Sequence, residues 1–137
     1  MSDTTFNPLD DPNADPFAIA AQAADDIARL SGVAHHDIAL TLGSGWGRAA
    51  ELLGETVASI PATDVTGFSK PALEGHVGTL RSVRTPGGKH VLVIGARTHF
   101  YEDHGVRRVV HSVRTAAATG AQTMVLTNGA GGIRPTW

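Results

Sequence analysis

The chain has 137 residues, 42% of them hydrophobic and 18% charged, with a formal net charge of −2 and no cysteine. That length allows one domain with a core of its own; the composition excludes a disulfide framework and thiolate chemistry, and the charge argues against broad nucleic-acid binding. No apolar run approaches the ~18 residues of a membrane span, and the acidic start MSDTTFNPLDDPNADP lacks the basic and apolar stretches of a secretory signal, so a cytoplasmic chain with no membrane partner is expected.

Residues 1–14 carry turn formers (Asn7, Pro8, Asp10, Asp11, Pro12) and are expected to form a flexible leader, with 15–137 forming part of a single α/β domain. Asp15 is a good N-cap, Pro16 a good first-turn residue and Gly32 a stop. Between them Phe17, Ala20, Ala21, Ala24, Ile27 and Ala28 recur at helical spacing, with Asp25, Asp26 and Arg29 expected on the solvated side. Ile38–Leu42 is expected as a short buried strand leading into the glycine turn of LTLGSGWGR. Arg48–Leu53 follows as a brief helix closed by Gly54. Thr56–Ile60 is expected as an edge strand ended by Pro61. Residues 66–76 have loop composition. VGTLRSVRT and KHVLVIGA, joined by PGG, form a hairpin. Val106–Thr119 is expected as one amphipathic helix with Val106, Val109, Val110, Val113 and Ala117 as its apolar stripe, and TMVLTN as a strand running into GAGG.

Strands alternating with helices describe an α/β sheet. Ligands in such sheets sit beyond the carboxyl ends of the strands. Three loops follow apolar strands, at 43–47, 96–105 and 128–132, and are expected to meet on one rim.

The 43–47 turn, Gly-Ser-Gly-Trp-Gly, fails three known patterns. Arg48 stands where a dinucleotide fingerprint needs its last glycine, the P-loop lysine is missing, and Leu42 stands where a nucleophile elbow needs glycine. Glycines that admit a ligand close to the backbone, free amides and the Ser44 hydroxyl suit an oxyanion such as phosphate; the alternative is a tight connection without a ligand. In GARTHFYEDHG an extended chain would put Arg97, His99 and Tyr101 on one face. Arginine offers a permanent fork of donors and histidine a donor or proton acceptor, while the tyrosine ring offers a flat surface for a sugar or base; a solvated loop is the alternative. In LTNGAGGIRP, Asn128 stands at a strand end, and Gly129, Gly131 and Gly132 could form an anion nest or merely reverse the chain. His76, between two glycines in LEGHVG, is as a lone histidine more often structural. The remaining histidines form no metal set.

Together LGSGWG, GHVG, RTHFYE and TNGAGGI resemble, in order, four motifs of the trimeric class of purine nucleoside phosphorylases. The resemblance implies a central mixed β-sheet flanked by helices, incomplete in this chain, which looks like the N-terminal half of such an enzyme. It implies phosphate binding by Ser44, His76, Arg97, His99 and the Gly129 amide, with His99 catalytic. Tyr101 would lie against the ribose, and Asn128 would line the floor between the sites. It further implies a purine nucleoside and inorganic phosphate as substrates, no cofactor, no nucleic-acid partner and a homotrimer. Base recognition would lie in the half not present, so phosphate-site geometry without full activity is expected of these 137 residues. Two alternatives are a methylthioadenosine phosphorylase and a non-catalytic phosphate-binding or oligomerisation remnant. Four positions depart from the family pattern: Trp46, Ala96 and Asp103, the latter two replacing glycines, and Gly129, replacing an alanine. Asp103 would add negative charge near the anion.

Overall fold

A computed structural model describes residues 6–43, 45–69 and 78–136. Helix α1 spans Pro16–Ser31 as expected: the Asp15 carboxylate accepts from the Phe17 amide at 2.9 Å, and Gly32, at φ 73°, supplies the left-handed cap. Strand β1 is Ile38–Thr41, followed by a 3-10 turn at Gly47–Leu52. Strands β2 (Glu55–Pro61), β3 (Thr79–Arg84) and β4 (His90–Ile94) run antiparallel in sequence. Strand β5 is Thr123–Leu126.

The five strands form one mixed sheet in the order β2-β3-β4-β1-β5, with β1 parallel to both β4 and β5. This is the α/β architecture expected. Alternation along β4 explains its two faces. Leu92 and Ile94 join Ala39, Ile60 and Leu80 against Ala23 and Ile27 of α1 and Ala116. Val91 and Val93 join Val83 and Leu42 on the opposite face, covered by Ala50 of the 3-10 turn. Buried on both faces, β4 has the continuous apolar sequence VLVI. The outer strand β5 leaves Val125 and Leu126 exposed.

Three expectations are revised. Over residues 7–10 the leader is anchored to the domain: Leu9 is 2% exposed, the Asn7 side-chain amide donates to the Gly67 carbonyl at 3.0 Å, and Asp10 pairs with Arg108. The single helix over 106–119 is two, α2 (Gly105–Val109) and α3 (His111–Ala118). Its inner face is not the valine stripe, since Val106 and Val113 are exposed. His111, Thr115, Ala116 and Thr119 are buried instead, because the ring of His111 docks under the 66–68 loop: Nε2 lies 2.8 Å from the Thr66 carbonyl and the ring packs on Phe68. Third, Asp26 is not solvated. It is 8% exposed, and its carboxylate accepts from the amide and hydroxyl of Thr66 at 2.9 and 2.6 Å. Burial would raise its pKa, but the Thr66, Arg29 and Gln22 hydrogen bonds outweigh that and hold it below the usual carboxylate range.

Candidate anion site at the strand ends

Because β4, β1 and β5 are adjacent and parallel, their carboxyl ends open on the same edge of the sheet. The three loops expected on one rim leave from those ends. They are in contact: Arg97, after β4, donates from Nη1 to the Thr127 carbonyl at 3.1 Å, and the Gly43 amide, after β1, donates to the Thr127 hydroxyl at 3.3 Å. A β-carbon built on Gly43 would lie 3.8 Å from Arg97 Nη2, so the start of the glycine turn borders the guanidinium.

Arg97 and His99 converge as the spacing suggested, with Arg97 Nη2 3.2 Å from His99 Nε2. Arginine can only donate, so His99 Nε2 accepts here and the ring proton sits on Nδ1. Glu102 holds that proton. Its Oε1 lies 2.8 Å from His99 Nδ1 and accepts from the His99 amide at the same distance. Burial would raise the Glu102 carboxyl, but the His99 amide and ring bring it below its ordinary value. Tyr101 stacks on His99 with ring centroids 4.7 Å apart and planes at 16°.

The path of the backbone differs from the extended one assumed. Phe100–Glu102 is a 3-10 turn, and the bend is what returns Glu102 to His99. Asp103 follows at φ 59°, in the left-handed region that favours glycine, at a position where the family pattern has glycine. Ala96, at the other former glycine, is 8% exposed and fits the core.

Tyr101 is 81% exposed, and Asn128 and Gly129 are also exposed at the end of β5. None of Gly129, Gly131 and Gly132 has a positive φ, so these glycines do not take the alternating conformation of a nest. Ser44 and His76 lie outside the described residues.

Sequence reasoning gave no role to two residues of this arrangement. Glu102 follows His99 at capping-box spacing, a signal available in the motif itself. Thr127 carries no such signal, because its partners are 30 and 84 residues away. Chemically, the rim presents the Arg97 guanidinium, backed by the His99 ring and the Thr127 carbonyl and bordered by the start of the glycine turn, and a guanidinium so held is a donor fork for an oxyanion. Among the described residues there is no group of histidine, cysteine and carboxylate side chains that could hold a metal ion, and no helix long and apolar enough to cross a membrane.

No family model matches the chain. Curated relatives do. The chain is 58% identical to a purine nucleoside phosphorylase of a Cellulomonas species over 134 residues, covering 95% of this chain and 48% of that one. It is 50% identical over 125 residues to the purine nucleoside phosphorylase of Mycobacterium tuberculosis, covering 90% and 46%. Among solved structures, isoform 2 of the Schistosoma mansoni purine nucleoside phosphorylase, in complex with cytosine and ribose-1-phosphate, superposes with a TM-score of 0.72 at 33% identity, covering 87% of this chain and 41% of that one. A complex of a Schistosoma mansoni purine nucleoside phosphorylase with inosine gives 0.73 at 26% identity, covering 87% and 40%. The resemblance read from four motifs thus extends over nearly the whole chain, which spans about half the length of the curated relatives it matches.

Proposed function

We propose that this chain, which matches purine nucleoside phosphorylases in sequence and fold over about half of their length, carries the phosphate-binding side of a site for purine-nucleoside phosphorolysis. The observation that carries the reading is the convergence of Arg97 and the Gly43 turn at Thr127, with His99 joined to Arg97. In this reading Arg97 binds phosphate oxygens and His99, oriented by Glu102, holds the Arg97 guanidinium through Nε2; a phosphate contact of its own, and its catalytic part, are what the family resemblance implies. Ser44, His76 and the Gly129 amide join them by the family resemblance. Tyr101 lies against the ribose, with Asn128 between the two subsites.

The reaction is a pentosyl transfer. A phosphate oxygen bonds to the anomeric carbon while the bond to the purine nitrogen breaks, and the base leaves with a proton or hydrogen bond. The transition state gathers positive charge on the sugar. A phosphate dianion fixed beneath it stabilises that charge, and holding it in place makes the attack effectively unimolecular. The ligands held by the two Schistosoma structures, ribose-1-phosphate and inosine, are a product and a substrate of such a reaction. All the relatives reported above are named nucleoside phosphorylases, which favours this reading over the methylthioadenosine enzyme. A homotrimer, a cytoplasmic location and a place in purine salvage belong to the same proposal. No cofactor is invoked.

By the family resemblance, the groups that read and protonate the base lie in a part of the relatives that these residues do not match. The purified chain, titrated with phosphate and assayed for hypoxanthine release from inosine, is therefore expected to bind phosphate saturably without robust turnover. Absence of phosphate binding would overturn the reading. Rapid turnover would overturn the assignment of the base-handling groups.

A further inference from the structure

Thr127 touches all three rim loops. Its amide and its hydroxyl both donate to the Thr41 carbonyl at the end of β1, at 3.2 and 2.6 Å. The hydroxyl proton is thereby committed, which leaves an oxygen lone pair for the Gly43 amide at 3.3 Å, the first amide of the glycine turn. The Thr127 carbonyl accepts from Arg97 Nη1 at 3.1 Å. The carbonyl contact could be made by any residue. The two hydroxyl bonds could not, and they belong to a half-buried side chain that reaches no other described loop.

We infer that Thr127 is a positioning residue for the anion site. Its hydroxyl fixes where the glycine turn begins and its carbonyl fixes the Arg97 guanidinium, so both face an incoming anion at a set spacing. Thr127 itself does not touch the anion. The inference rests on the phosphate reading for its function, while its structural content concerns only Gly43, Arg97 and Thr127. Preorganised donors bind more tightly because less freedom is lost on binding. A branched side chain with one preferred rotamer suits that role.

The test uses the whole chain and three substitutions. Thr127→Val keeps the shape and removes both hydroxyl bonds, Thr127→Ala removes them without a second methyl, and Thr127→Ser keeps them. Amide hydrogen exchange at Gly43, phosphate affinity by calorimetry and the thermal midpoint are measured for each. In the valine and alanine variants Gly43 should exchange about tenfold faster and phosphate should bind about tenfold more weakly, the scale of one lost hydrogen bond. The thermal midpoint should fall by only a few degrees, the scale of one or two hydrogen bonds, and the serine variant should match the parent. Unchanged Gly43 exchange in a folded valine or alanine variant overturns the inference, as does a serine variant as impaired as valine. Faster Gly43 exchange with unchanged phosphate affinity overturns it too. If the parent chain takes up no phosphate, the phosphate reading fails separately, and Gly43 exchange alone decides whether Thr127 holds the turn.

Discussion

Glu102 Oε1 stands 2.8 Å from both the backbone amide and Nδ1 of His99, so a single carboxylate oxygen sets both the bend of the chain and the orientation of the ring. Glu102→Gln replaces a charged acceptor with a neutral one. The variant keeps an acceptor for the Nδ1 proton but a weaker one, which should move the imidazole nitrogen shifts of His99 and, by loosening the ring that backs Arg97, weaken phosphate binding by up to about tenfold, the scale of one charge-assisted hydrogen bond. Unaltered shifts and affinity would mean that Glu102 only shapes the turn.

Asp25 and Asp26 are sequence neighbours with opposite environments: the first is exposed, the second is 8% exposed and hydrogen-bonded to Thr66. Asp26→Ala strands the Thr66 amide and hydroxyl and should cost about 2–3 kcal/mol in urea unfolding. Asp25→Ala should stay within about 0.5 kcal/mol of the parent. Equal effects would contradict the packing of the 66–69 loop on α1.

Asp103 holds a left-handed conformation at φ 59°. Asp103→Gly should raise stability by up to about 1 kcal/mol through relief of that strain, less whatever the freer unfolded chain takes back. The same change removes a negative charge near the proposed phosphate and should tighten phosphate binding. Calorimetry and thermal melting read the two effects separately.

Acid should destabilise the fold in two steps. His36 is fully buried with Nε2 2.9 Å from the Ser82 hydroxyl, and burial, with His90 and His35 nearby, pushes its pKa down to about 4 against a weaker pull upward from Asp37. Between its ordinary 6.5 and about 4 the unfolded chain binds a proton that the folded chain refuses. Stability is therefore fully present above that window and falls as the pH drops through it, by roughly 3 kcal/mol. His111, lowered by burial, acts in the same direction. Below the window the carboxylates take over: Asp10, Asp26 and Glu102 are held below their ordinary values, so what they contribute is lost as the pH falls through those lowered values. In unfolding measured across pH, His36→Gln should flatten the first step alone. A parent-like slope would remove His36 from this account.

Much of this fold was legible because its signals are local. Asp15, Pro16 and Gly32 bracket α1 in the sequence as in the structure, and the PGG between two β-branched runs marks the β3–β4 hairpin. Arg97 and His99 were legible from spacing, although the face they share comes from a bend rather than an extended strand. What stayed hidden is what depends on distant partners. The valines of 106–113 look like a core stripe, yet the helix turns His111 and Thr115 inward because a loop more than 40 residues earlier supplies the hydrogen-bond acceptor. Asp26 lies at the right spacing from Ala23 and Ile27 to share their buried face, but a carboxylate there is tolerable only because Thr66 meets it. The leader looked loose because its turn formers speak for irregular backbone and are silent about Arg107 and Arg108, which bind it.

The central claim is that three loops at the carboxyl ends of β1, β4 and β5 form one receptor for inorganic phosphate. Nitrogen-15 NMR of the chain, titrated with phosphate at constant ionic strength, tests it most directly. Saturable shifts confined to the Gly43 turn, the Arg97–Glu102 segment including the Arg97 Nε–H, and the amides around Asn128 and Gly129 are predicted. No saturable shift, or shifts centred elsewhere on the molecule, would contradict it.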